Sequence, residues 1–244
     1  MLLETYLKRL KLPTVRDQLK AYIREAEEKQ LSYEDFLCAL LEQEVHERNA
    51  KQIDLRIKKA KFPVTKTLDQ YDFSKAPYLN KSKILGLAKG DYIQDRRNIL
   101  FIGNSGTGKS HLSISLGIAA CREGFHVQFY TASGLNNELI EAQTEKRLLQ
   151  LEKQWMKADL VIVDEVGYIP YSQKGSELLF QFFSQRYERG SMIITSNREF
   201  SLWNQVFGDE QMTAALIDRL THRAYIFPMN GDSYRFKQSL EEEY

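Results

Sequence analysis

Cysteine is scarce in this sequence: two in 244 residues, Cys38 and Cys121. They lie far apart, so a disulfide framework is not available and reduced thiols in a cytoplasmic protein are expected. Histidine is nearly as rare. His46, His111, His126 and His222 show no ligand spacing, so no zinc site is expected. Long apolar runs are missing too. No stretch approaches the roughly 20 residues of a membrane-spanning helix, and Met1-Leu2-Leu3-Glu4-Thr5 lacks the basic start and apolar core of a secretory leader. No membrane partner is expected. Repeats and low-complexity segments are also absent, and net charge is only +1. That charge is uneven, however. Residues 1–98 carry 20 Lys and Arg against 15 Asp and Glu, whereas 99–244 carry 14 against 18. A basic front half points weakly to a polyanionic partner, since solvated helix faces often carry such an excess.

What the chain does have is one strong signal, Gly103-Asn104-Ser105-Gly106-Thr107-Gly108-Lys109-Ser110. An apolar run at 98–102 precedes it and reads as a buried strand. Residues 111–120 follow it with helical spacing. Strand, glycine loop and helix together turn G-x-x-x-x-G-K-S into a phosphate site. Glycines let successive N–H groups converge on an anion, and the helix directs its positive end to the same point. Lys109 can reach the β- and γ-phosphates and Ser110 can ligate Mg²⁺.

Residues 1–61 read as a small all-helical domain. Leu3, Leu7 and Leu10 follow helical spacing, and Pro13 starts a new segment with Leu19, Tyr22, Ile23 and Ala26 as its apolar stripe. Ser32 suits the N-cap of a third helix. Phe36, Leu37, Leu40, Leu41 and Val45 are expected to form that helix's buried face. Its far end is basic. Lys51, Arg56, Lys58, Lys59 and Lys61 are candidate contacts to DNA phosphates, or equally a solvated helix end favoured by the dipole. Residues 62–95 form a connector, interrupted at Pro63 and Pro77. Its Leu68, Tyr71 and Phe73 are expected to pack on the following domain, near the nucleotide base.

From 96 to 244 strands and helices alternate: strands at 126–131, 159–165, 191–196 and 225–227, with helical stretches at 134–157, 175–189 and 209–223. That alternation is the pattern of a parallel sheet with helices on both faces. Four apolar residues lead into Asp164-Glu165 at a strand's carboxyl end, where ligands bind in open α/β sheets. Asp164 suits Mg²⁺, and Glu165 suits a water that attacks the γ-phosphate. A small-molecule kinase has no use for that second acid. Asn197, after the next strand, can bond the γ-phosphate or the water. Arg219 and Arg235 can each add positive charge at the phosphate, or can be surface ion pairs.

The ordered set carries a resemblance. The phosphate loop with His111-Leu112, the 163–170 stretch Val-Asp-Glu-Val-Gly-Tyr-Ile-Pro, Thr195-Ser196-Asn197-Arg198, and the stretches at 218–223 and 231–236 resemble the IstB transposition helpers. These are AAA+ P-loop ATPases close to the DnaC helicase loaders. Residues 31–37, 44–48 and 67–73 are similar to the same family. The resemblance implies an α/β AAA+ fold over 96–244, and ATP with Mg²⁺ as cofactors. Only a short tail follows the last strand, so a short C-terminal lid is expected in place of the family's full lid bundle, a departure that bears on Arg235. It implies a nucleotide site of Gly103, Asn104, Ser105, Gly106, Thr107, Gly108, Lys109, Ser110 and His111, with Arg235 as a second sensor. Lys109, Glu165, Asn197 and Arg219 would be catalytic, and Ser110 and Asp164 would hold the metal. It further implies assembly on double-stranded DNA as a homo-oligomer, an arginine finger at Arg219 acting across subunits, and a cognate transposase as partner. A replicative helicase loader is the alternative within the same class.

Overall fold

The computed structural model describes residues 2–231 and 233. The chain forms two compact units, Met1–Leu55 and Arg56–Tyr244.

The first unit holds helices α1 (Leu2–Arg9), α2 (Pro13–Lys29) and most of α3 (Tyr33–Ala60). Pro13 opens α2, where a missing N–H costs nothing. The neighbouring donors are met by a carboxylate from another helix. Glu44, buried on α3, accepts from the N–H groups of Thr14 at 2.8 Å and Val15 at 3.1 Å. Burial pushes the Glu44 carboxyl up, but these two N–H groups and Arg48 outweigh it and hold it below the usual range. Ser32 caps α3 by accepting from the Asp35 N–H at 3.1 Å.

The buried face expected for α3 is narrower than its apolar residues suggest. Leu40 is buried and Phe36 partly so, but Leu37, Leu41 and Val45 are exposed. Only Leu7, Val15 and Leu40 form the buried centre of this unit, with Leu12, Leu19, Tyr22 and Phe36 around them. Helices α1 and α2 cover one stripe of α3 and leave the next one bare.

The second unit takes the last turn of α3 and the connector. The connector contains 3₁₀ turns at Leu68–Gln70 and Phe73–Lys75 and two short helices, α4 (Lys81–Leu87) and α5 (Asp91–Gln94). Helices of seven and four residues are too short to print a period in sequence. Then follow β1 (Asn98–Gly103), α6 (Lys109–Arg122), β2 (Val127–Thr131), α7 (Ala132–Thr144), α8 (Leu148–Trp155), β3 (Leu160–Val166), α9 (Gln173–Arg186), β4 (Ser191–Ser196), α10 (Asn204–Phe207), α11 (Glu210–Thr221) and β5 (Ala224–Met229). The single helical region expected at 134–157 is two helices. Arg147 N–H bonds the Ala142 carbonyl at 2.7 Å, and Lys146 adopts φ 58° to close α7. Such a cap normally uses glycine, so the sequence gives no sign of it.

All five strands are parallel, in the order β2-β3-β4-β1-β5. Successive side chains alternate between two cores. Ile99, Phe101, Leu160, Ile162 and Ile193 face one side with α6 and the connector. Leu100, Ile102, Val161, Val163, Met192 and Ile194 face the other, with α7, α9 and α11. Burial on both faces is why these strands read as nearly continuous apolar runs. Arg186 is buried within this frame. Its guanidinium donates to the carbonyls of Trp155, Ala158, Asp159 and Ser191. Among the described residues no helix is long and apolar enough to cross a membrane.

Candidate nucleotide site

The order of the sheet places the site. β1 lies beside β4, and β4 beside β3, so whatever leaves their carboxyl ends emerges together. The phosphate loop leaves β1. Gly103 has φ 143°, and a Cβ there would come within 2.5 Å of the Met229 carbonyl oxygen. Asn104 N–H donates to that same carbonyl at 3.0 Å, which fixes the base of the loop to the end of β5. Gly108, at φ 88°, turns the chain into α6. A Cβ on it would lie 2.6 Å from the Tyr71 ring.

Tyr71 therefore rests on the loop. Its hydroxyl donates to the Thr107 carbonyl at 3.2 Å, and its ring meets that of His111 edge-on at 5.3 Å. Burial pushes the Tyr71 phenol up, so it stays a neutral donor. His111 Nε2 reaches the Thr67 carbonyl at 2.9 Å. These contacts hold the connector against the start of α6.

The Lys109 ammonium is buried and donates to the carbonyls of Gly103, at 2.7 Å, and Asn104. It is thus held at the mouth of the loop. Asp164, at the end of β3, is buried and hydrogen-bonded by Ser110 and by Thr195 Oγ1, the latter at 2.5 Å. Burial pushes the Asp164 carboxyl up, while those two bonds and the Lys109 charge pull it down. A hydroxyl beside a carboxylate below a glycine loop is a donor set that suits a hard divalent cation. The Cβ-free cradle above it suits phosphate oxygens.

Glu165 departs from the strand. The ladder between β3 and β4 shifts register between Val163 and Val166, and Glu165 takes φ 63° there. A left-handed non-glycine residue costs about 1–3 kcal/mol and persists where its surroundings impose it. The restraint here is Thr195 Oγ1, which accepts the Glu165 N–H at 2.9 Å. The Glu165 side chain is consequently exposed at the cavity while Asp164 stays buried beneath it. Downstream, Arg198 Nε donates to the Gly167 carbonyl at 2.8 Å, and Ser196 Oγ accepts the Arg198 N–H at 3.1 Å. This turn presents half-buried Asn197 between the two other motifs.

A cavity of about 830 Å³ lies over this floor. It brings together Ser105, Gly106, Thr107, Gly108, Lys109, Ser110 and His111 with Glu165 and Asn197; Tyr71 and Tyr78 from the connector form part of the opposite wall. Gly103 and Asn104 lie behind it and supply the acceptors for Lys109. Arg219 is not at this cavity. On α11 its guanidinium sits 4.8 Å above the Phe180 ring and donates to Ser184 Oγ at 2.9 Å. Its partners among the described residues are a ring and a hydroxyl, not a carboxylate, so the surface ion pair that the sequence allowed is not what holds it. Arg235 lies outside the described residues. Lys51 belongs to the first unit. Arg56, Lys58, Lys59 and Lys61 cluster at the end of α3, away from the cavity; Arg56 is half-buried and the lysines are exposed.

Thr195 received no role from the sequence, although it links both acids. A weak signal was present, since Thr195-Ser196 puts two hydroxyls straight after the apolar Met192-Ile193-Ile194 run. Thr195→Val keeps the shape and removes both bonds. Hydrogen bonds to charged groups are worth about 1.5–3 kcal/mol. A turnover roughly ten- to a hundred-fold lower is therefore expected, with more Mg²⁺ needed for half-maximal rate. A magnesium titration of ATP hydrolysis checks this.

A family profile described as "IstB-like ATP binding protein" matches residues 5–242. An insertion sequence IS5376 ATP-binding protein of Geobacillus stearothermophilus is 37% identical over 239 residues, covering 98% of this chain and 95% of the relative. An insertion sequence IS21 ATP-binding protein of Pseudomonas aeruginosa is 35% identical, covering 97% and 89%. Among solved structures, AMPPCP-bound DnaA from Aquifex aeolicus superposes with a TM-score of 0.58 at 19% identity, over 74% of this chain and 56% of that one. The DnaC helicase loader superposes with a TM-score of 0.52 at 17% identity, over 66% and 95%. At such identities these two likenesses report the AAA+ fold alone.

Proposed function

This chain belongs to the IstB-like ATP binding protein family, and from that premise we propose that it is a Mg²⁺-dependent ATPase that assembles on double-stranded DNA and assists the transposase of its insertion sequence. The observation that carries the reading is the pairing of two acids with opposite settings at one strand end. Asp164 is buried and bonded to Ser110, while Glu165 is turned out toward the phosphate loop by its left-handed backbone. One suits a metal and the other a water.

In this reading ATP lies in the cavity with its phosphates at residues 105–110 and its base toward the connector. Ser110 and Asp164 would hold Mg²⁺, which when bound would neutralise phosphate charge. Lys109 leaves the loop carbonyls for the β- and γ-phosphates. Glu165 orients water in line with the γ-phosphorus, and Asn197 bonds the γ-phosphate or that water. Arg219 completes the site of a neighbouring copy, so turnover requires assembly. Assistance to a transposase is supported by the relatives, which are named as insertion-sequence proteins. A helicase-loading role has the fold likeness alone behind it.

Light scattering and electron microscopy test the reading. With ATP and duplex together the wild type is expected to form large complexes, while Lys109→Ala stays small. A pull-down retaining a cognate transposase, and not a replicative helicase, is the expected partner result. Complexes that form equally without nucleotide would overturn nucleotide-controlled assembly.

A further inference from the structure

At the end of the sheet away from the phosphate loop, a second cleft of about 390 Å³ opens beside the first residues of β2. β2 is an edge strand. Three separate stretches of sequence meet there. The last turn of α3 contributes Arg56 and Lys59. The start of β2 contributes His126 and Gln128. The segment between α8 and β3 contributes Lys157.

The surroundings fix where these groups point. On α3, Ile57 and Ala60 pack into the core shared with Val127 and Phe129. Phe62 lies 6.0 Å from the Phe129 ring and holds the helix end down. With those positions turned inward, Arg56 and Lys59, three residues apart, line the cleft. Lys58 and Lys61 do not line it. The Lys157 segment is anchored from below, since Arg186 donates to the carbonyls of Trp155 and Ala158 on either side of it. No Asp or Glu lines the cleft; Asp159, beside Ala158, accepts the His126 backbone N–H at 2.8 Å and lies 3.4 Å from its ring nitrogen. Among the described residues Arg56, Lys59 and Lys157 form no ion pair. Three cations thus line a cleft that no carboxylate lines.

We infer that this cleft, lined by Arg56, Lys59 and Lys157, is a seat for the phosphodiester backbone of duplex DNA, separate from the nucleotide site. The inference rests on the proposed function and deepens it. Charge complementarity favours a polyanion. The cleft has no Phe, Tyr or Trp among its lining residues, its one ring being the His126 imidazole, and offers the neutral amides of Gln128 and Gln154 beside its cations. It therefore suits a sugar–phosphate backbone rather than base readout or a single strand's bases. It also divides the basic helix end, with Arg56 and Lys59 at the seat and Lys58 and Lys61 outside it.

The test uses the full chain with Arg56, Lys59 and Lys157 all changed to Gln, and a control with Lys58 and Lys61 changed to Gln. Duplex affinity is measured from 50 to 200 mM salt, with ATP present. Each lost phosphate contact lowers the slope of log affinity against log salt by about 0.9, so the triple variant is expected to lose about 2–3 from the slope and the control less than about 1. Binding of a fluorescent ATP analogue and thermal unfolding are expected to stay at wild-type values. A second variant, Lys157→Gln alone, is expected to lose about 1 and guards against misfolding of the triple. A wild type that binds duplex, with a triple variant of unchanged slope, overturns the seat and leaves the proposed function standing. A wild type indifferent to duplex overturns the proposed function itself.

Discussion

Arg219→Ala is expected to slow ATP turnover in duplex-bound assemblies by about 10³–10⁵-fold, the value of an arginine placed on the transferring phosphoryl group. Nucleotide affinity of the isolated chain is expected not to change. Both follow from where Arg219 sits. It is on α11, outside the cavity of its own chain, with its guanidinium resting on Phe180 and Ser184. A residue that does not line its own chain's cavity is expected to leave nucleotide binding there unchanged. One that is already held over a ring and a hydroxyl has lost part of its rotamer freedom before any neighbour arrives. Turnover assays across a concentration series, with fluorescent-nucleotide binding alongside, separate the two quantities. Mixing chains makes the assignment sharper. Arg219→Ala retains a whole phosphate loop and Glu165, and Glu165→Gln retains the arginine and still assembles, so each alone is slow and their mixture is expected to recover part of the rate. If the mixture stays inactive, or if Arg219→Ala weakens nucleotide binding as much as turnover, Arg219 serves only the packing of α11 on α9.

The second large effect falls on the water. Glu165→Gln is expected to cut hydrolysis by about 10²–10⁴-fold, the usual contribution of a positioned general base, while ATP still binds and complexes on duplex persist longer than those of the wild type. Glutamine keeps the length and the hydrogen-bonding reach of the side chain and removes only its charge. The backbone at Glu165 is set by the Thr195 hydroxyl and the bulge rather than by the carboxylate, so the substitution leaves Asp164 and Ser110 where they are. Single-turnover phosphate release and the lifetime of complexes after a chase with unlabelled duplex measure the two halves. Wild-type release by the variant would reassign the water to another group and make Glu165 a solvated acid at a strand end.

The phosphate loop was legible because its requirements are local. Gly103 and Gly108 adopt backbone that other residues resist, and each lies so close to a neighbour that a side chain would collide. The five strands were legible for a related reason, since burial on both faces forces apolar runs that stand out against polar helices. The bare stripe at Leu37, Leu41 and Val45 shows the limit of this logic. Apolar spacing states which residues share a helix face, not whether anything covers it. Lys146 and Glu165 show another limit, for left-handed conformations imposed on ordinary residues leave no mark in composition.

Residue order and spacing alone determined the strand, glycine turn and helix of the nucleotide site, the two acids at a strand's end and the family the chain belongs to. Each depends on backbone conformation over a few neighbouring residues. Tertiary structure decided the rest. It set Thr195 between Asp164 and Glu165, laid Tyr71 over Gly108, held Arg219 away from its own cavity and joined Arg56 and Lys59 to Lys157 across nearly a hundred residues. Those meetings depend on strand order and register, which are fixed by burying both faces of one sheet at once, and no local stretch of sequence carries that information.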